Sequence, residues 1–329
     1  MINAAIVGLG GWGRNLVNHT QGKSPKIRFV AGCVRSVEKA RAFGAEKGFP
    51  IGSDYAALLA EREIDAVVLA TPHSAHAEQV VQAARAGKHV FCEKPFTLSR
   101  ASAEQSIRAC AEHKVTLMVG YNWRHQPALQ EVVRMIADGR LGKVLHVEGN
   151  FNGPSVYRYA KDHWRPSREE CPAGGMTGRG CHVVDAMINV AGHIDSVYAM
   201  SKRQVLDSGL DDTTSMLFTF KSGATGYLGT VIATAECWRL QVFGSKGWAE
   251  MGSVPHLTTW TLRRCYLEQP MEFVEFPGVS TERAELEAFA DAIEAGRPLV
   301  NDAADLLNNS AVLDAIVGSV DTARRVEIA

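Results

Sequence analysis

Through the first third of the chain, short runs of uninterrupted apolar residues alternate with segments of helical periodicity. "INAAIV", "IRFVAGCV", "DAVVLA", "HVFCE" and "VTLMVG" are predicted strands. A helix from about Trp12, then "VEKARAFGAEKG", "HSAHAEQVVQAARAG" and "ASAEQSIRACAEH", carry apolar residues at helical spacing. Apolar runs without polar alternation belong to strands covered on both faces. Strand-helix-strand repetition predicts a parallel, doubly wound sheet with right-handed crossovers. Beyond "YNWRHQPALQEVVRMIADGRLGK" the pattern changes. "VLHVEGNF", "SVYAMSKRQ", "TTSMLFTF", "ATGYLGTVIA" and "RLQVFG" follow one another with little helix between, which predicts a large, mostly antiparallel sheet. Helical periodicity returns from about Glu282. The expected division is α/β throughout, with one domain over residues 1–121 and a second over 122–329.

The first predicted strand runs directly into "VGLGGWG", with Gly8, Gly10 and Gly13 in GxGxxG spacing. In that context the first glycine allows a tight turn and the second lets a pyrophosphate approach the backbone. The third lets the helix pack on the strand. Backbone N–H groups of Gly11 and Trp12 at the helix start then face the anion. This Rossmann arrangement predicts a nicotinamide dinucleotide. NAD sites usually place an acid at the end of the second strand; here Val34 stands there, followed by Arg35 and Ser36. A guanidinium and a hydroxyl suit a 2'-phosphate, so NADP is the preferred cofactor, with NAD the alternative.

Composition narrows the remaining classes. A chain of 329 residues suits two domains and a large core without disulfides. A net charge of -1 gives no electrostatic case for nucleic acid or an anionic membrane as the main partner. No apolar run has the length of a membrane span, and the N-terminus reads as mature structure. Seven scattered cysteines without a CxxC pair fit a reducing, cytoplasmic setting.

Ligands of a parallel sheet sit outside the carboxyl ends of its strands. "VFCEKPFTLS" places Glu93 and Lys94 at such an end. An amine held between a cationic nicotinamide and low-dielectric walls gives up its proton more readily, and so can exchange one with a substrate hydroxyl. Pro95, with its fixed φ, stiffens the turn that aims it.

"VGLGGWG", "ATPHSAHAEQVVQAARAGKHVFCEKP", "RLGKVLHVEGNF" and "GGMTGRGCHVVDAMI" together resemble the glucose-fructose oxidoreductase / inositol dehydrogenase / rhizopine-catabolism family (GFO/IDH/MocA). The resemblance implies a Rossmann domain, a C-terminal α/β domain with an open sheet, and hydride transfer on a sugar, polyol or cyclic alcohol. It places Lys94 at the nicotinamide and the substrate, Thr71 and Pro72 along the cofactor with His76 nearby, and Glu93 at the nicotinamide ribose. Many relatives carry an aspartate four residues before a histidine on the next helix. Here His182 and Asp185 are kept, but the aspartate position is Gly178. That departure weakens the case for a typical inositol or hexose substrate. His182 is expected to relay protons with Lys94, and Asp185 to touch substrate or fix the imidazole tautomer. Cys171, Cys181, His182 and Asp185 match no closed zinc pattern, and no metal is expected.

The substrate candidates lie in two loops. "YNWRHQP" offers Asn122, Arg124 and His125; "HWRPSREECPAGG" offers His163, Trp164, Arg165 and Arg168, with Arg179 beyond it. Arginines near a hydride-transfer site suit a carboxylated substrate. Asp162, Glu169 and Glu170 in the same loop offer the opposite outcome, a self-neutralised cluster, and Trp164 suits packing as well as a pocket wall. The expected partners are a small molecule and a second copy of the chain, as a homodimer or homotetramer through the C-terminal sheet. Two other classes remain open: a dinucleotide-binding sensor without turnover, and a lyase or hydrolase that oxidises its substrate transiently with a tightly held cofactor.

Overall fold

The computed structural model describes residues 1–159, 163–207, 209–253 and 261–328, in two compact units. The first comprises Met1–Asn122 and Ser280–Leu306, the second Trp123–Val279 and Leu307–Ala329. The chain starts β1 (Ile2–Val7), α1 (Gly11–Thr20), β2 (Ile27–Cys33), α2 (Val37–Lys47), β3 (Ile51–Gly52), α3 (Tyr55–Ala60), β4 (Ala66–Leu69). It continues with α4 (His76–Arg85), β5 (His89–Cys92), α5 (Arg100–Glu112) and β6 (Leu117–Val119). Six parallel strands lie in the order β3-β2-β1-β4-β5-β6. Strand order reverses between β1 and β4, and that reversal opens the ligand crevice of this topology. Every residue of β4 is buried, as its unbroken apolar run requires. The two-residue β3 and six-residue α3 were not predicted, because neither is long enough to show a period.

In the second unit, α6 (Pro127–Ala137) precedes β7 (Val144–Asn152), and a single π-helical turn, Met176–Gly180, opens α7 (Cys181–Ala191). β8 (Ile194–Lys202), β9 (Thr213–Phe220), β10 (Thr225–Val231), β11 (Cys237–Gly244), β12 (Gly247–Ser253), β13 (Thr261–Tyr266) and β14 (Glu272–Glu275) follow. With the C-terminal β15 (Val326–Glu327) they form a nine-stranded sheet in the order β14-β13-β12-β11-β7-β10-β9-β8-β15. Only the β7–β10 pair among these is parallel. Alternation decides the two faces: Val147, Met216, Leu228, Leu240 and Val242 are buried, while Glu148, Leu217, Tyr227 and Gln241 point to the opposite, open side. α7 lies against β7, where a Cβ on Gly149 would come 2.3 Å from the Val183 side chain. No helix among the described residues is long and apolar enough to cross a membrane.

α8 (Thr281–Glu294) and the first residues of α9 (Ala303–Thr322) return to the first unit. Leu286, Phe289 and Ala290 enter its core, with Phe289 edge-on to Phe91 at 5.9 Å between ring centroids. Leu299 bridges Leu117 in parallel, and Asn301 accepts from the Val119 N–H. The segment 280–306, assigned from sequence to the second domain, therefore packs with the first. A helical period announces a buried face without naming what buries it.

Candidate functional site

The glycine turn assigns a separate task to each glycine. Gly8 has φ +94°, and a Cβ there would meet the Ala70 carbonyl at 2.5 Å. A Cβ on Gly13 would come 2.0 Å from the Gly8 carbonyl, so only glycine lets α1 lie this close. Gly10 and Gly11 have open space where their Cβ atoms would project. Gly10 caps α1 without any side chain engaging the first N–H groups. An open cradle ending on unengaged N–H donors is what a pyrophosphate needs, so these residues fit a dinucleotide. At the tip of β2, Val34 is half-buried, and Arg35 and Ser36 are exposed. Ser36 caps α2 by position, yet its hydroxyl makes no capping hydrogen bond and so is available to a ligand.

The other predicted residues of the first unit come from the ends of β4 and β5. Thr71 Oγ1 donates to Gln79 Oε1 at 2.6 Å. The fully buried His76 ring stands between two carbonyls, its Nδ1 2.9 Å from Pro95 O and its Nε2 3.2 Å from Thr71 O. It ties the Thr71-Pro72 turn to the Glu93-Lys94-Pro95 turn. Glu93 is buried, and its Oε2 accepts from the Lys94 N–H at 3.2 Å. Lys94 Nζ lies 5.7 Å from the ring centroid of Trp12. The structure thus brings the β5 amine onto the aromatic ring of the glycine turn, two features read separately from the sequence. Asn122 is buried and donates to Thr281 Oγ1 at 3.2 Å, which places it at the start of α8.

In the second unit His182 is buried on the first turn of α7. Trp123 stacks on its imidazole at 5.5 Å and 16°, and Phe151 approaches at 6.1 Å. Trp238 closes on Trp123 at 4.6 Å. Arg124 forks onto Asp185, with three hydrogen bonds of 2.8 to 3.1 Å. The two residues read as substrate contacts meet each other. Burial, then the neighbouring Arg124 charge, push the His125 imidazole down to about 4. Among the described residues no cluster of three His, Cys, Asp or Glu side chains is placed to hold a metal.

The loop before the π turn forms a ladder of planar groups. Tyr159 stacks on His163 at 4.6 Å, His163 on Trp164 at 5.6 Å, and the Arg165 guanidinium lies 4.9 Å over Trp164. Arg168 pairs with Asp321 at 2.9 Å. Asp162 lies outside the described residues.

Sequence reasoning missed three residues. Trp123 stacks on His182 and Trp238 packs on Trp123, and the sequence singled out neither. Glu285 on α8 is fully buried, and neither carboxylate oxygen has a hydrogen-bond partner among the described residues. Burial drives its carboxyl well above the usual range; the Glu93 and Glu282 charges add to this, and Lys94 opposes them. The available signal was an acid on the apolar stripe of a helix, in register with Phe289.

Comparison with known proteins identifies the family. Residues 2–121 match the model of an oxidoreductase family, GFO/IDH/MocA, with an NAD-binding Rossmann fold, and residues 129–250 match that family's C-terminal domain. D-xylose 1-dehydrogenase (NADP(+)) 2 of Haloferax volcanii is 29% identical over 98% of both chains. The 2,7-anhydro-N-acetylneuraminate hydratase of Escherichia coli is 30% identical over 68% of this chain, which spans 60% of that relative's length. The crystal structure of an aldose-aldose oxidoreductase from Caulobacter crescentus, complexed with glycerol, superimposes with a TM-score of 0.90 at 26% identity, over 99% of each chain.

Proposed function

Since the chain belongs to the GFO/IDH/MocA oxidoreductase family, we propose that it is an NAD(P)-dependent dehydrogenase or reductase. Its substrate in this reading is a sugar, polyol or cyclic alcohol, changed at one hydroxyl or carbonyl carbon. The carrying observation is the Lys94 amine, held at the carboxyl end of β5 over Trp12 of the glycine turn. Gly8, Gly10, Gly11 and Gly13 would hold the pyrophosphate, and Thr71, Pro72, His76 and Glu93 would flank the nicotinamide half. Arg35 and the uncapped Ser36 hydroxyl favour a 2'-phosphate, hence NADP. When bound, the nicotinamide gives or accepts the hydride. Lys94 takes the hydroxyl proton during oxidation and returns it during reduction. Glu93 accepts from the Lys94 backbone and fixes the turn that aims the amine. His182, clamped by Trp123, exchanges protons with the substrate side and orients the hydroxyl.

Lys94→Met tests this assignment, with a panel of aldoses and polyols headed by D-xylose as substrates. Turnover is expected to fall by roughly 10²- to 10⁴-fold. Calorimetric affinity for NADPH is expected to stay within a few-fold of the wild type and above that for NADH. Unchanged turnover would remove Lys94 from the chemistry. The hydratase relative favours a second reading, transient oxidation without net redox change. In that case the cofactor stays bound through purification, and denaturation releases stoichiometric nucleotide.

A further inference from the structure

We propose that Glu285 is a positioning residue for the Lys94 amine, a carboxyl set beneath the Glu93-Lys94 turn whose ionisation is coupled to the charge on Lys94. The inference rests on the preceding reading of Lys94 as the carrier of the substrate proton. Packing within the first unit places Glu285 there. Thr281, Glu282, Glu285 and Phe289 are buried on one face of α8, a turn apart. At the start of that face Asn122, just past β6, donates to Thr281 Oγ1 at 3.2 Å, so α8 begins at the carboxyl ends of the strands. Further along, Phe289 meets Phe91 of β5 edge-on at 5.9 Å. Glu93 follows Phe91 by two residues, and a Cβ built on Gly120 would come 2.9 Å from both Glu93 Oε1 and the Phe91 ring. The Glu93 carboxylate thus lies beside the ring that α8 packs against, and Glu285 sits on α8 between that ring and the strand ends.

Glu285 is fully buried, and neither of its oxygens meets a hydrogen-bond donor among the described residues. A carboxyl buried in this way ionises only where a nearby cation offsets the lost hydration. Burial opposes ionisation first, then Glu93 and Glu282; of the charges that act on it, Lys94 favours ionisation. The other titratable groups of the neighbouring elements are engaged elsewhere. On α1, His19 lies 3.7 Å from Glu282, and Arg14 donates to Lys39 O. On β2, Arg28 donates to Asn3, and Cys33 lies toward Asp54. On β5, His89 accepts from the Thr116 N–H, and the Cys92 thiol donates to the Glu93 carbonyl. On α8 itself Arg283 and Glu287 are only partly buried, and Asp291 pairs with Lys26. Coupling between two charges is reciprocal. A charged Lys94 favours the Glu285 anion, and that anion favours the ammonium. A neutral Glu285 favours the free amine, the form that accepts a proton from an alcohol.

Infrared spectroscopy of the full chain tests the coupling without substrate or cofactor. A carboxylic-acid C=O band, assigned to Glu285 by its loss in Glu285→Gln, is expected to fade as pH rises. In Lys94→Met it should persist to a pH higher by about one unit. Fading at the same pH in both proteins, or no such band at any pH, overturns the inference. Should Glu285→Gln fail to fold, the wild type against Lys94→Met decides alone. Ordinary carboxyls are ionised by about pH 7, and only a buried acid keeps its band there. In turnover, Glu285→Gln should carry the rising limb of kcat/KM against pH for alcohol oxidation to lower pH. Glu285→Asp keeps a carboxyl and should leave that limb near the wild type. No displacement in Glu285→Gln, or equal displacement in both variants, also overturns the coupling. A Lys94-dependent band without alcohol turnover sinks the dehydrogenase reading alone, whereas Lys94-dependent turnover with an unmoved band sinks only the coupling.

Discussion

Glu285 is a carboxyl group that folding buries without giving it a hydrogen bond from any described residue. Its pKa is raised in the folded state, first by burial and then by Glu93 and Glu282, with Lys94 pulling the other way. The folded protein therefore holds the proton more tightly than the unfolded chain. Stability linked to Glu285 is complete below the unfolded carboxyl pKa and is lost as pH rises through the raised folded value. Glu285→Gln keeps the shape and removes the titration. It should melt higher than the wild type at pH 8 and close to it at pH 4.5, with the gap widening by at most about 2–4 °C for each kcal/mol gained. Equal gaps at the two pH values would show that the carboxyl does not titrate as assigned. The contrast with the glycine turn shows what single residues disclose. Gly8, Gly10 and Gly13 were legible because spacing in sequence equals function in space. Glu285 was not, because its neighbours lie far away along the chain, and only packing reveals that they share a site.

At the scale of elements, the strands of the parallel sheet were legible because burial on both faces leaves unbroken apolar runs. β12, β13 and β14 were not, since strands such as "TLRRCY" and "EFVE" carry charged residues on both faces and so show no apolar alternation. The π turn before α7 was equally hidden, because a local change of helical pitch leaves no compositional trace. α7 also links two residues read separately: Asp185, expected to touch substrate or to fix the His182 tautomer, meets Arg124, itself a substrate candidate. Asp185 is almost fully buried and the guanidinium is about one-fifth exposed. Removing one partner strands the other charge, so Asp185→Leu is expected to cost about 3 kcal/mol in urea unfolding. Arg124→Leu combined with Asp185→Leu should recover part of that loss. If the double variant is as unstable as the sum of the singles, the pair contributes no coupling and the fork is incidental.

At the scale of the whole molecule, the division into two units was legible from the change in pattern, but the return of residues 280–306 was not. Chain order carries no record of which core a late helix joins. The open face of the nine-stranded sheet raises the question of assembly. Strand register sets Tyr198, Leu217 and Tyr227 side by side across β8, β9 and β10, continuing through Glu148, Gln241, Glu250 and Arg263 to Phe273. Leu217 and Phe273 are more than half exposed. Along the middle of the row Arg239 pairs with Glu148, and Glu250 with Arg263. Nine strands at about 4.8 Å each span roughly 40 Å, and strands of this length give such a face on the order of 800–1,000 Å². That area meets what a stable interface needs, and a mixed apolar and charged row can complement itself under two-fold symmetry. A homodimer or homotetramer is therefore expected by light scattering at micromolar concentration. Leu217→Glu combined with Tyr227→Glu, both on the open side, should yield a smaller species with dinucleotide affinity intact. A monomeric wild type, or an assembly untouched by the paired substitution, would move the interface off this sheet.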